Sequence, residues 1–391
     1  MSSRKFKSIT FSLNRTSIKR LAVLVIVGVI ALFIITGMLT AFEPGYGISS
    51  STVHAWSSYV SSDALMYMMG TENPYFTQVL PEESEPPKIS ALAFELATSL
   101  NPDDPRSLLG RELPGFALFD GKIIVAGEGT DYTNMPIESA PPMEVMMAER
   151  EASQESLDKL DKAAEEFPPP QVTTDGRKVV HIIHSHSRES FLPELKDTNV
   201  PNQAFHSEVN ITLVGERLGR ELEKRGIGVE VDKSDIGSML SQRGWVYGQS
   251  YDASREIVKE AISTNGDLEF FFDLHRDGVG REITTVTING VEYARTFFVI
   301  GENNKNFEKN AKLAAELHEM LDKKYPGLSR GVIAKGGSGS NGRYNQDLSP
   351  NSILVEFGGV ENTLEETYRS AEAFAEVFSE FYWNAQKVNK Q

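Results

Sequence analysis

Histidines and acidic residues gather at the ends of three short apolar runs in the second half of the chain. The residues concerned are His184, His186, Glu189, Asp273, His275 and Glu356. Imidazole nitrogens and carboxylate oxygens are ligands for a metal ion, and a carboxylate can also move protons. The chain contains no cysteine, so thiolate ligands and a cysteine nucleophile are excluded. Any metal site in this chain therefore uses nitrogen and oxygen ligands.

Two imidazoles and one carboxylate hold a zinc ion and leave a fourth position open for water, as in catalytic zinc sites. His186 and Glu189 are three residues apart, so a tight turn can direct both at one ion, and His275 supplies the second imidazole. Glu356 is the candidate base that takes a proton from water and returns it to a leaving nitrogen. This set could hydrolyse an amide bond. Zinc fits these ligands best, although manganese and cobalt also accept them.

The ligand set has alternatives. His184 and His186 share a face if the strand continues through both, so His184 could bind the metal instead. We expect it rather to support the site or to contact the substrate. Glu208 lies at the start of the next predicted helix and competes with Glu189 for the role of carboxylate ligand.

Two residues beside His275 have predicted supporting roles. Asp273 precedes it by two positions and could orient an imidazole by hydrogen bonding. Arg276 follows it and is placed to steady a carbonyl oxygen or a substrate carboxylate. We therefore group Arg276 with Glu356 as predicted catalytic residues.

These residues need elements that bring distant strand ends together. Strands are predicted at 178–183, 229–232, 268–274 and 353–357, and helices at 209–225, 251–264, 307–325 and 363–387. A hairpin is predicted at 284–288 and 291–296 around Asn289-Gly290, with its second arm continuing to residue 300. Thr363 and Glu366 are spaced as a capping box. Alternating strands and helices with nearly continuous apolar strands predict an α/β fold, with a mainly parallel sheet covered by helices on both faces. In such sheets, ligands gather at the carboxyl ends of the strands.

The amino terminus has the pattern of a membrane anchor. Residues 1–20 contain six basic and no acidic residues, and 21–42 contain no charge. A helix of that length spans roughly 33 Å, enough for a bilayer core. We predict a cytoplasmic segment at 1–20 and a single transmembrane helix at 21–42, with the remainder outside the cytoplasm. A cleaved signal peptide is the alternative, but its apolar region is usually shorter.

Residues 43–171 are predicted to be an irregular and partly helical acidic segment that precedes a catalytic domain at 172–391. Within it, 116–126 reads as a small hairpin. The segment is either a spacer or a module that docks a partner. The whole chain has a net charge of −16, and without the six positive charges of the leader the remainder is near −22. A body this acidic is a poor candidate for binding nucleic acid through phosphates, and we expect no nucleic-acid partner.

Three strings together resemble the stage II sporulation protein P family. They are residues 184–191, His-Ser-His-Ser-Arg-Glu-Ser-Phe; 273–277, Asp-Leu-His-Arg-Asp; and 355–366, which begins Val-Glu-Phe-Gly-Gly. The resemblance implies a zinc-dependent N-acetylmuramoyl-L-alanine amidase, with His186 and His275 as ligands and Glu356 as the catalytic glutamate. In the broader zinc amidase group the carboxylate ligand comes from the helix after the first histidine, which keeps Glu208 open.

The resemblance also implies a cellular setting. The family is a group of single-pass membrane proteins that thin septal peptidoglycan during engulfment, with the stage II sporulation proteins D and M as partners, and that also cut peptide cross-links. Two competing functions remain. One is a zinc peptidase that acts only on stem peptides, and the other is a non-catalytic septal protein that binds glycan.

Overall fold

The structure is a computed structural model that describes residues 75, 121–138, 140–152, 170, 172–336 and 340–389. All of them belong to the unit Asp63–Gln391. The predicted leader and the predicted anchor at 21–42 lie outside the described residues, as does most of 43–171. No helix among the described residues is long and apolar enough to cross a membrane.

Nine strands occur in the described residues: β1 Gly121–Ala126, β2 Lys178–Ile183, β3 Gly228–Val231, β4 Phe270–Asp277, β5 Thr285–Ile288, β6 Val291–Ala294, β7 Thr296–Gly301, β8 Ser329–Lys335 and β9 Ser352–Gly359. Seven of them form one sheet in the order β1-β8-β7-β9-β4-β2-β3, and β5 pairs with β6 separately. The pairs β3–β2, β2–β4, β4–β9 and β7–β8 are parallel, whereas β7–β9 and β1–β8 are antiparallel. The predicted α/β class with a mostly parallel sheet is confirmed.

The described helices are α1 Met143–Met146, α2 Ile211–Lys224, α3 Ile236–Arg243, α4 Ser250–Thr264, α5 Arg281–Thr284, α6 Phe307–Lys324 and α7 Leu364–Asn389. Short 3₁₀ turns occur at Leu192–Glu194, Pro201–Gln203, Tyr247–Gln249 and Gln346–Leu348. One face of the sheet packs against α2, α6 and α7 in the largest apolar core. Side chains of α4 pack against the other face.

Strand alternation decides which side chains lie on each face. In β4, Phe270, Phe272 and Leu274 enter the large core, whereas Phe271 packs against α4. His275 has the parity of Phe271 and so lies on the α4 face. The same alternation in β9 places Glu356 on that face, because its neighbours Val355 and Phe357 enter the large core.

The predicted turn and cap are confirmed. Asn289 and Gly290 have φ angles of 52° and 81°, the left-handed pair that a tight two-residue hairpin requires. At the start of α7, Glu366 N–H donates to Thr363 Oγ1 at 3.2 Å, and Thr363 N–H donates to a Glu366 carboxylate oxygen at 3.1 Å. This reciprocal pair satisfies two amides that the helix itself leaves unbonded.

Part of the sheet differs from the prediction. The second hairpin arm does not continue to residue 300, because the chain leaves the hairpin at Arg295, whose carbonyl accepts a bond from Gly358 N–H at 2.9 Å. β7 then joins the main sheet between β8 and β9. The strand β8 and the helix α3 were not predicted.

The sheet also begins earlier than predicted. β1 lies inside the range assigned to the acidic segment, yet it forms the edge of the main sheet, with Gly121 opposite Lys335 and Ala126 opposite Gly331. Residues 116–120, the rest of the predicted small hairpin, lie outside the described residues. The sheet that carries the candidate site therefore starts upstream of residue 172.

Candidate metal centre

Three of the predicted ligands meet at the carboxyl ends of β2 and β4. One ligand atom from each of His186, Glu189 and His275 lies within 4.8 Å of the other two. His186 Nδ1 is 3.4 Å from one Glu189 oxygen, and His275 Nδ1 is 3.7 Å from the other. The imidazole rings meet edge to face, with their centroids 4.6 Å apart. This is the arrangement that the spacing of the motifs predicts.

A backbone turn after β2 brings His186 and Glu189 together. Glu189 N–H donates to the His186 carbonyl at 3.0 Å, which closes a turn over residues 186–189. Glu189 then forms an isolated antiparallel bridge with Phe205. The turn and the bridge together fix the backbone of Glu189. Its carboxylate is therefore held beside His186.

Two donors hold the Glu189 carboxylate in place. The main-chain N–H of Arg276 donates to Oε2 at 2.9 Å, and the Tyr247 hydroxyl lies 3.5 Å from Oε1. Burial alone would raise the pKa of Glu189, but the interactions with His186, Arg276 and His275 outweigh it and lower the pKa to about 2. Glu189 is thus an ionised carboxylate, the form that binds metal.

Asp273 orients the second imidazole. His275 Nε2 lies 3.1 Å from Asp273 Oδ1, so Nδ1 is the nitrogen that faces Glu189. Burial would lower the pKa of His275, but the negative charges of Asp273, Glu189 and Glu356 raise it to about 10. Surroundings that favour a proton on this ring also favour a metal cation beside it. A carboxylate that fixes the far nitrogen of a histidine ligand is common in metal sites.

Glu356 lies beside the ligands on the third strand. Its position in β9 is in register with His275 in β4, and both side chains lie on the α4 face. Its Oε2 atom is buried and has no hydrogen-bond partner among the described residues. Burial raises the pKa of Glu356 well above its usual value, with Asp277 and Glu189 adding to the effect and His275 opposing it. A carboxyl group in this environment can both accept and return a proton.

Arg276 contributes its backbone to the centre. Its guanidinium donates to the Ala204 carbonyl at 3.1 Å and lies 5.7 Å from the centre of the Phe205 ring, and the whole residue is buried. The main-chain N–H is the group that contacts Glu189. A contact between the guanidinium and a substrate oxygen stays a prediction.

The alternative ligands lie apart from the three-residue group. His184 Nδ1 is 3.0 Å from the Asp232 carbonyl, and the ring packs so closely on α2 that a Cβ at Gly215 would lie 2.1 Å from Nε2. Burial lowers the pKa of His184 to about 4, so this ring is neutral. Glu208 is exposed, and its backbone N–H donates to His206. The geometry favours Glu189 as the carboxylate ligand.

The donor set fits a metal ion of the zinc type. His186 Nδ1 is buried with no hydrogen-bond partner among the described residues, although it lies next to the Glu189 carboxylate. A buried nitrogen without a partner is costly unless something binds it. Two nitrogens and one oxygen are the ligands of catalytic zinc.

Two tyrosines that the motifs did not reveal form the walls of the centre. Tyr247 stacks on His186 with ring centroids 4.4 Å apart. Tyr251 packs against the edge of His186 and parallel to His275, with centroid distances of 5.1 and 6.0 Å. Tyr247 lies in the 3₁₀ turn that precedes α4, and Tyr251 lies in the first turn of α4. Nothing in the local sequence links this helix to the strand ends, because only the fold brings them together.

Residues 135–138, which we name the covering segment, also escaped the sequence analysis. Ile137 N–H donates to Asp277 Oδ1 at 2.9 Å, and the Ile137 carbonyl accepts from Gly278 N–H at the same distance. Lys335 Nζ donates to the Pro136 carbonyl at 2.9 Å. The Tyr251 hydroxyl donates to Glu138 Oε1 at 3.3 Å. The segment thus binds the strand ends and one wall of the centre.

The centre is closed to solvent in this structure. His186 and Glu356 are each 4% exposed, and Glu189 and His275 are 1% exposed. Met135 of the covering segment is 1% exposed and packs in a cluster with Tyr251. Access for a large substrate therefore requires a part of this cover to move.

Comparison with known proteins identifies sequence relatives of this chain. The chain matches the family described as "Stage II sporulation protein P (SpoIIP)" over residues 103–379. The curated Stage II sporulation protein P of Bacillus subtilis (strain 168) is 47% identical over 388 residues, which cover 99% of this chain and 97% of the relative.

Solved structures show only a distant likeness. A metallo-carboxypeptidase from Burkholderia cenocepacia aligns at 15% identity over 58% of this chain and 68% of its own, with a TM-score of 0.35. Murine aminoacylase 3 aligns at 13% identity over 56% of this chain and 67% of its own, with a TM-score of 0.29. Scores this low support no conclusion about the fold or the function.

Proposed function

The chain belongs to the stage II sporulation protein P family, and from that membership and its metal centre we propose that it is a zinc-dependent N-acetylmuramoyl-L-alanine amidase. The substrate is peptidoglycan, and the bond cut joins the lactyl group of the glycan to the first alanine of the stem peptide. The proposal includes hydrolysis of peptide cross-links by the same centre as a second activity.

One observation carries the proposal. His186, Glu189 and His275 converge within 4.8 Å, and the buried Glu356 lies in register with His275 on the next strand. Two imidazoles, one carboxylate and a separate carboxyl group are the parts that metal-assisted hydrolysis of an amide needs.

The chemistry divides between the ion and the protein. Zinc held by His186, Glu189 and His275 would polarise both a water molecule and the carbonyl of the scissile bond. Glu356 accepts a proton from that water molecule while the water oxygen forms a bond to the carbonyl carbon. It then donates the proton to the alanine nitrogen as the carbon–nitrogen bond breaks. The raised pKa of Glu356 suits the second step, because it stabilises the protonated carboxyl group that donates to the alanine nitrogen.

Digestion of purified sacculi by the full-length chain tests this proposal. Mass spectrometry should detect free stem peptides that begin with alanine, together with intact glycan strands. Glu356→Gln should bind zinc and release nothing, because an amide cannot accept the proton. Glu208→Gln, which changes an exposed glutamate in the same way, should keep full activity.

The same digestion separates the two competing functions. Cleavage within stem peptides with every lactyl–alanine bond intact indicates a zinc peptidase. Binding of sacculi with no release by the zinc-loaded protein indicates a glycan-binding scaffold. Either result overturns the amidase proposal.

The proposal includes a location and partners. A transmembrane helix at 21–42 anchors the chain with its amino terminus in the cytoplasm, and the hydrolase acts outside the cytoplasmic membrane at the sporulation septum. Residues 43–171 supply a spacer or docking region, and the stage II proteins D and M are the expected partners. Protease protection in spheroplasts tests the orientation, and co-purification from sporulating cells tests the partners.

A further inference from the structure

A chain of buried hydrogen bonds leads from the loop before β9 to Asp273, which lies beside the metal centre. Asn345 Nδ2 donates to Ser254 Oγ at 3.0 Å, and Ser254 Oγ lies 2.7 Å from Ser185 Oγ. Ser185 Oγ donates to Asp273 Oδ2 at 2.5 Å, and Ser185 N–H donates to Oδ1 at 2.8 Å. Asp273 in turn lies 3.1 Å from His275 Nε2. All five residues are buried.

The two ends of this chain fix the direction of its hydrogen bonds. An ionised carboxylate only accepts, so the Ser185 hydroxyl must give its proton to Asp273. The amide nitrogen of Asn345 only donates, so the Ser254 oxygen must accept from it. The Ser254 hydroxyl then directs its proton to Ser185, because two lone pairs facing each other at 2.7 Å would repel. Every bond therefore points towards Asp273.

The direction of these hydrogen bonds restricts how Asp273 faces His275. Ser185 occupies both oxygens of Asp273, so the carboxylate cannot turn without breaking two short bonds. His275 Nε2 has no hydrogen-bond partner of good geometry among the described residues, but the charge of the fixed carboxylate 3.1 Å away favours a proton on that nitrogen in the neutral, metal-bound ring. Nδ1 is then the nitrogen with a free electron pair, and it faces Glu189.

We propose that Ser185 is a positioning residue of the metal centre: it holds Asp273 so that His275 presents Nδ1 to the metal, and Ser254 and Asn345 complete the hold. This inference rests on the metal centre of the proposed function. Ser185 is the middle residue of the string His184-Ser185-His186, and the motifs by themselves predict no role for it.

The zinc affinity of the full-length chain tests the proposal, measured by competition with a chromogenic chelator. Ser185→Ala should weaken zinc binding by about 10-fold, the lower end for loss of a residue that orients a ligand. Ser254→Ala should cause a smaller loss in the same direction. Ser190→Ala is the matched control, because Ser190 is equally buried and its hydroxyl donates at 2.5 Å to the Val209 carbonyl, away from Asp273.

A spectroscopic readout separates positioning from general stability. In the cobalt-substituted protein, the Nε2 proton of a histidine ligand gives a shifted, exchangeable NMR signal. Its exchange with water should become faster in Ser185→Ala and Ser254→Ala and stay unchanged in Ser190→Ala. A purely structural role of Ser185 would lower the melting temperature of the metal-free protein and leave this exchange rate unaltered.

The possible outcomes distinguish this proposal from the proposed function. If the wild-type chain binds no zinc, the metal centre itself fails and both ideas fall. If it binds zinc and Ser185→Ala binds as tightly as Ser190→Ala, only the role of Ser185 is overturned. If Ser185→Ala does not fold, Ser254→Ala decides, since it leaves both Ser185–Asp273 bonds in place, and an affinity equal to that of Ser190→Ala overturns the proposal.

Discussion

His275 and Glu356 occupy registered positions on the neighbouring parallel strands β4 and β9 and lie on the same face of the sheet. His275 is the second imidazole of the candidate metal centre, and Glu356 is a buried carboxyl group whose Oε2 has no hydrogen-bond partner among the described residues. Their proximity depends on strand pairing alone, since no turn or helix connects them directly. The candidate metal ligand and the candidate proton carrier are thereby held by two paired strands inside the main sheet.

Single substitutions should separate the true ligands from the alternatives. Alanine substitution of His186, Glu189 or His275 should weaken zinc binding by more than about 100-fold. Loss of a residue that only orients a ligand already lowers metal affinity by about 10- to 100-fold. Glu208→Ala should leave zinc content unchanged because Glu208 is exposed and outside the group. Metal analysis after dialysis measures both. Zinc loss in Glu208→Ala with retention in Glu189→Ala would reverse the assignment.

The covering segment should control how fast metal leaves. Met135→Ala removes a side chain that is 1% exposed and packs in one cluster with Tyr251. Truncation of a buried methionine to alanine usually costs about 2–5 kcal/mol of stability. Even a part of that cost, if it falls on the covering segment, would increase the population of its open state about 10-fold or more. Chelators should therefore strip zinc at least several-fold faster from Met135→Ala.

Met239→Ala is the control for this prediction, since Met239 is a partly buried methionine of a different cluster. Equal stripping rates for the two variants would mean that residues 135–138 do not limit access to the centre.

Arg276→Met should lower stability more than it lowers zinc affinity. The variant loses a buried charged hydrogen bond to the Ala204 carbonyl, a loss of about 1.5–3 kcal/mol, but keeps the main-chain N–H that holds Glu189. Thermal unfolding and chelator competition measure the two effects. The predicted substrate contact of the guanidinium requires in addition a fall in kcat/KM at full zinc occupancy. An unchanged kcat/KM at full occupancy contradicts that role.

Stability should depend on pH through the cap of α7. Burial would raise the pKa of Glu366, but bonds from Arg281, Asn362 and Thr363 lower it below 4.5. The contribution of Glu366 is therefore complete above the unfolded pKa and disappears as pH falls through the folded one. Glu366→Gln should cost about 1–2 kcal/mol at neutral pH.

Denaturant unfolding of both proteins at pH 7 and pH 3 measures this cap. The difference in unfolding free energy between wild type and Glu366→Gln should shrink at the lower pH. Glu365→Gln is the control, because this neighbour is exposed and exposed pairs contribute little. A difference that stays constant from pH 7 to pH 3 would contradict the role of Glu366 charge.

Local sequence determined where the reactive groups lie along the chain. Short apolar runs, each followed by a polar string, place His186 and His275 at strand ends and Glu356 near the end of a third strand, and the structure keeps all three there. The same local rules predicted the Asn289-Gly290 turn and the Thr363–Glu366 cap, because each depends only on residues a few positions apart.

Tertiary structure decided which of these groups meet. The order of β2, β4 and β9 in the sheet cannot be read from periodicity, which records burial but not the strand on the other side. For the same reason β1 and β7 were expected in local hairpins and lie instead in the main sheet. The sequence likewise left the choice of carboxylate ligand open, because the position of Glu189 depends on its bridge with Phe205 and on the bond from the Arg276 amide to its carboxylate. Contacts between distant segments set the ligand geometry, the tyrosine walls and the cover, whereas contacts within a few residues set the elements.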